Sequence, residues 1–125
     1  MERVPTGIPG MDSLMQGGYL EGSSVLISGG AGCGKTIFGT QFIYNGAAEH
    51  KDPGIYITLE EGTTNIWWNM KSFHWNLTKY EQENLIRLYR VGMIEPVEFA
   101  KGFKDEIEKI KKMVDEMNAK RLVID

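Results

Sequence analysis

The chain has 125 residues, 42% of them hydrophobic and 25% charged, which suits one domain with a single core. A formal charge of −3 offers no basic excess to displace counterions from a phosphate backbone, so composition makes no case for nucleic-acid binding. The single cysteine, Cys33, excludes an intramolecular disulfide, and with no signal peptide or membrane-length apolar run in view the expected compartment is the cytoplasm.

Residues 1–23 are punctuated by Pro5, Gly7, Pro9, Gly10, Gly17, Gly18 and Gly22 around one short helical candidate, Met11 to Gln16. Gly10 or Asp12 would cap it, with Leu14 and Met15 turned inward. Ser24-Val25-Leu26-Ile27-Ser28 then reads as a short buried strand.

That strand runs into Gly29-Gly30-Ala31-Gly32-Cys33-Gly34-Lys35-Thr36, which fits G-x-x-x-x-G-K-[ST] without a gap. A phosphate chain needs many amide donors at contact distance, and a backbone comes that close only where side chains are missing. Four glycines and one alanine in residues 29–34 meet the requirement. Lys35 would reach the outer phosphates, the Thr36 hydroxyl would bind magnesium, and the following helix would aim its N-terminal dipole at the anion. Chance alone gives the pattern in roughly 0.4% of chains this long. Strand before and helix after favour nucleoside triphosphate binding over a plain glycine-rich turn. Cys33, inside the loop, would have a lowered pKa, or would simply be a small residue that fits.

The helix that begins at Thr36 should run to about Glu49, with Ile37, Phe38, Gln41, Phe42 and Tyr44 as its core stripe, and Asp52-Pro53-Gly54 stops it. Ile55 to Leu59 forms a β-branched, aromatic run that ends in two carboxylates, Glu60 and Glu61. Thr63 or Thr64 caps a helix to about Phe73, whose Trp67, Trp68, Met70 and Phe73, with Trp75 beyond, either pack on the sheet or mark an interface. A short helix over Leu77 to Glu83 and an edge strand over Leu85 to Val91 follow. Gly92 to Gly102 reads as a loop. Asp105 to Lys120 is an amphipathic helix with Ile107, Ile110, Met113, Val114 and Met117 on one face and Asp105/Lys109 and Glu108/Lys112 as i,i+4 pairs. Arg121 to Asp125 is a buried-type strand ending in an acid.

Strands alternating with helices predict an α/β fold: a mainly parallel sheet flanked by helices, with ligands beyond the carboxyl ends of the strands. The phosphate loop, Glu60-Glu61 and Asp125 would then meet on one edge. Hydrolysis of a terminal phosphate needs an oriented water and a charge-neutralising metal. Glu60 is placed to orient or deprotonate the water, Glu61 to assist or hold the metal's water shell, and Asp125 to contact magnesium directly or through water. His50 and His74 lack metal-ligand spacing.

These residues together resemble the KaiC-like branch of the RecA superfamily. Thr6-Gly7-Ile8-Pro9-Gly10-Met11-Asp12, Gly17-Gly18, the phosphate loop, Phe42-Ile43-Tyr44-Asn45-Gly46, Thr58-Leu59-Glu60-Glu61 and Ser72-Phe73-His74-Trp75-Asn76-Leu77 carry the likeness. The resemblance implies a RecA-like P-loop ATPase that forms a hexameric ring with nucleotide between subunits. It assigns phosphate and magnesium to Lys35 and Thr36, catalysis to Glu60 and Glu61, and the Walker B role to Asp125. RecA-like folds place a later strand between the phosphate-loop strand and the Walker B strand. Residues 1–125 are therefore expected to be the N-terminal part of one domain, with an incomplete sheet that a partner chain fills or that pairs differently. Two other functions compete: a nucleotide-sensing module that does not hydrolyse ATP, and a RadA-like DNA-dependent recombinase, which the charge and the missing DNA-binding loops disfavour.

Overall fold

The computed structural model describes residues 2–29, 34–59, 62–92 and 96–125. Its elements are β1 (Arg3–Val4), α1 (Met11–Leu14), β2 (Tyr19–Leu20), α2 (Lys35–His50), β3 (Gly54–Thr58), α3 (Thr63–Ser72), α4 (Leu77–Gln82), β4 (Ile86–Arg90), a 3-10 turn (Pro96–Glu98), α5 (Phe99–Met117) and β5 (Arg121–Ile124). All five residues of β3 are buried, as a strand covered on both faces must be, and it is the centre of a parallel sheet in the order β4-β3-β5.

Two apolar layers sandwich that sheet. On one face Ile43 and Ala47 of α2 meet Tyr56, Ile86, Leu77, and Ile66 and Met70 of α3. On the other, Ile55 and Ile57 are covered by Met117, with Ile110, Met113 and Val114 of α5 packed around them. The expected face of α5 is thus the one used, except that Ile107 is partly exposed. The helix starts at Phe99, inside the segment expected to be a loop, because the turn at Pro96 feeds it directly and Gly102 does not interrupt it. Among the described residues the pairs within the helix are Lys109–Glu106 and Lys112–Glu116 and not the two expected.

The core stripe of α2 differs from the expected one. Small residues decide it: Gly39, Thr40, Gly46 and Ala47 are buried with Ile43, since the helix backbone lies close to the sheet where side chains are short. Phe42 and Tyr44 border this contact, and Ile37 points outward. Tyr44 stacks on Trp75, which stacks on Phe73. Trp67 and Trp75 thus lean on the core, whereas Trp68 remains exposed beneath the Lys71 ammonium.

At the N-terminus β1 and β2 pair as an antiparallel ribbon that their two-residue lengths hid from pattern reading. Asp12 does not cap α1. Its carboxylate accepts the Thr6 amide (2.8 Å), the Thr6 hydroxyl and the Gly7 amide, and the Asn45 amide donates to the Gly7 carbonyl. The Thr6–Asp12 signature is therefore a knot that ties the lead-in to α2. α1 stops at Leu14, which faces solvent and not the core.

The largest departure concerns residues 24–28. No strand forms there: the segment is exposed, with Leu26 at 90%. An apolar run becomes a strand only when a neighbour takes up its backbone groups, and β5 pairs with β3 alone among the described residues. Between this segment and β5 lies a cleft of about 670 Å³, walled by Val25, Leu26 and Ile27 on one side and Leu122 and Ile124 on the other.

Candidate functional site

The turn into α2 fixes the centre of the site. Gly34 has φ of 89°, a left-handed conformation in which any β-carbon is strained, so glycine before Lys35 follows from backbone geometry alone. No side chain caps α2 at Gly34, where the positive end of the helix dipole lies. The Lys35 ammonium arches back to the Gly29 carbonyl at 2.8 Å.

Parallel pairing brings the second half of the site alongside. The Asp125 amide donates to Ile57 O at 2.8 Å and the Leu59 amide to Asp125 O at 2.9 Å, which puts the carboxyl ends of β3 and β5 side by side. From there the Asp125 carboxylate reaches α2: Thr36 Oγ1 donates to Asp125 Oδ2 at 3.0 Å, across 89 residues of sequence. Lys35 thus contacts Gly29, and Thr36, next along α2, contacts Asp125. Gly30, Ala31, Gly32, Cys33, Glu60 and Glu61 lie outside the described residues, although Glu60 directly follows Leu59, the partner of Asp125.

One participant was missed. Tyr56, buried in the middle of β3, donates its hydroxyl to the same Asp125 Oδ2 at 2.5 Å. In sequence it is one aromatic in a β-rich run; the available signal was a polar-tipped ring in a strand otherwise covered on both faces, where the hydroxyl must find a partner. Gly39 of α2 makes room for it, since a β-carbon there would sit 3.2 Å from Tyr56 Cε2 and 3.0 Å from Val123 Cγ1.

The donor set suits magnesium. Thr36 and Asp125 offer hard oxygens, and a hydroxyl that gives its proton to a carboxylate keeps its lone pairs for a cation. Among the described residues no group of three or more His, Cys, Asp or Glu side chains could hold a metal. Two protein oxygens match an ion that takes its remaining ligands from phosphate and water. Nor is any helix among the described residues long and apolar enough to cross a membrane.

Comparison with known proteins matches this architecture. The family model of the KaiC ATPase covers residues 4–125. A UPF0273 protein of Pyrococcus furiosus is 39% identical over 135 aligned residues, which take in 100% of this chain and 54% of the relative. One from Thermotoga maritima is 43% identical over 135, with 100% and 55% covered. The circadian clock oscillator protein KaiC of Prochlorococcus marinus is 38% identical over 128, covering 100% of the chain and 26% of that protein. The crystal structure of a KaiC-like protein from Pyrococcus horikoshii superposes with a TM-score of 0.88 at 43% identity, over 99% of this chain and 53% of the other. The chain thus spans about half the length of the UPF0273 relatives and of that structure.

Proposed function

The chain belongs to the KaiC family of ATPases, and from that premise we propose that it binds ATP with magnesium and carries the hydrolytic residues of the site. The observation that carries this reading is the 3.0 Å bond from Thr36 to Asp125, which joins the start of the phosphate-loop helix to the end of a strand far away in sequence. That contact supports reading the two as parts of one P-loop nucleotide site.

In this reading the amides of residues 29–34 wrap the phosphates, and Lys35 leaves the Gly29 carbonyl for the outer phosphate oxygens. Thr36 and Asp125 hold the cation. Magnesium, when bound, supplies neutralisation of charge on the transferred phosphoryl group. Glu60 orients or deprotonates the attacking water, and Glu61 supports it. Residues 1–125 are proposed as the N-terminal part of a single domain, a reading supported by the relatives' greater length and by the cleft beside β5. Assembly as a homo-oligomeric ring, by likeness to the family, is part of the same proposal.

Calorimetry with ATP, in magnesium and in EDTA, tests the core of it. Lys35→Ala should weaken ATP binding roughly 30- to 100-fold, the value of one or two charge-assisted hydrogen bonds to phosphate. Glu60→Gln should retain binding and abolish turnover. Indifference of the unaltered protein to ATP would sink the assignment, while binding with no turnover to lose would leave a nucleotide sensor.

A further inference from the structure

We propose that Tyr56 is a positioning residue for the cation site, acting through Asp125. Asp125 Oδ2 accepts two hydroxyl protons, from Thr36 at 3.0 Å and from Tyr56 at 2.5 Å, while Oδ1 accepts none among the described residues. One oxygen is thereby tied to the protein by two donors, and the carboxylate's orientation with it. Among the described residues, Thr36 and Tyr56 are the side chains that hydrogen-bond the Asp125 carboxylate, so they fix its orientation.

The tyrosine ring is 1% exposed in the central strand, and Gly39 on α2 leaves only the width of that ring between helix and sheet. A donor held so firmly fixes its acceptor. Carboxylates that bind metal are commonly oriented by such partners, and removing one typically lowers metal affinity by roughly 10-fold or more. A buried tyrosine also needs a partner for its own sake. That requirement alone would be met by any acceptor, whereas here the acceptor is the oxygen that also receives the Thr36 proton.

This inference rests on the reading of Thr36 and Asp125 as the cation-holding pair. The test uses manganese(II) as the probe, titrated against protein and ATP and followed by electron paramagnetic resonance. Tyr56→Phe should weaken manganese binding about 10-fold. ATP affinity in EDTA and the melting midpoint should stay close to those of the unaltered protein. In an Asp125→Asn background the same substitution should change manganese affinity by less than twofold, because the hydroxyl acts only through the carboxylate. Gly39→Ala, which keeps the tyrosine but pushes its ring and hydroxyl off their position, should weaken manganese in the same direction, and decides the matter if Tyr56→Phe does not fold. Unchanged manganese affinity in the variants, or a full additional loss in the Asp125→Asn background, would overturn the role of Tyr56 while leaving ATP binding intact. If the unaltered protein binds ATP but takes up no manganese with it, the cation pair itself fails, and this inference with it.

Discussion

Asp52→Ala should be among the most destabilising single substitutions outside the apolar core. The Arg121 side chain is completely buried, and its guanidinium donates from Nε (3.3 Å) and Nη2 (3.2 Å) to Asp52 Oδ2 and from Nη1 to Phe42 O (3.2 Å), with the Phe42 ring 4.6 Å away. Removing one partner of a buried pair costs about 3–5 kcal/mol, because the remaining charge has lost its compensation. Asp52 is 31% exposed, so water already screens part of the attraction, and the carbonyl and the ring still hold the cation afterwards. About 2–3 kcal/mol is the expected loss. In a chain of this size that lowers the melting midpoint by roughly 10 °C. Urea titration should show a lower midpoint with an unchanged slope, since the same surface is exposed on unfolding. Arg121→Met should be milder, at about 1 kcal/mol or less, because it removes the charge and keeps the length of the side chain. In that background Asp52→Ala should cost almost nothing. An Asp52→Ala protein within about 0.5 kcal/mol of the original, or Arg121→Met proving the worse of the two, would refute the argument.

Three further outcomes are expected. Burial alone would raise the Asp12 pKa, but the Thr6 and Gly7 hydrogen bonds and the Arg121 charge outweigh it and hold the carboxyl below its ordinary value. Its stabilisation is present above about pH 4 and lost as pH falls through the lowered value, so the stability gap between the original protein and Asp12→Asn should close on acidification. Tyr89 is pushed up to about 12 by burial, by its hydrogen bond to Glu106 and by that carboxylate's charge. That contribution is complete below about pH 10 and disappears as pH rises towards 12, and urea midpoints of Tyr89→Phe should lack this alkaline component. Complete alkylation of Cys33 should block ATP binding in a filter assay; undiminished affinity would place the thiol away from the phosphates.

What sequence reasoning could see follows from how local each cause is. The helix after the glycine-rich stretch and the five buried residues of β3 were legible because glycine spacing and continuous apolar runs are written in consecutive letters. Asp125 was reachable as an acid at a strand end, and parallel pairing then brought it to Thr36. Tyr56 was not reachable, since its role depends on which face of β3 meets α2 and on the gap left by Gly39. The buried face of α2 was misplaced for a related reason: large aromatics suggested the contact, but Gly39, Gly46 and Ala47 make it. At Gly46 a β-carbon would stand 2.4 Å from Arg121 Cδ, a constraint set by a residue far along the chain. Residues 24–28 have the composition of a strand and form none, since strand formation also requires a partner.

The uncovered side of β5 has a practical bearing on handling. Leu122 and Ile124 present aliphatic surface beside main-chain groups that no described strand satisfies, and Val25, Leu26 and Ile27 face solvent across the cleft. In residues 1–125 produced apart from the rest of the proposed domain, two such rows are a template by which each copy can recruit the next, so turbidity of that segment should climb steeply with its concentration. A lysine substituted for Ile124 would interrupt that growth at its seed, and storage life would lengthen accordingly.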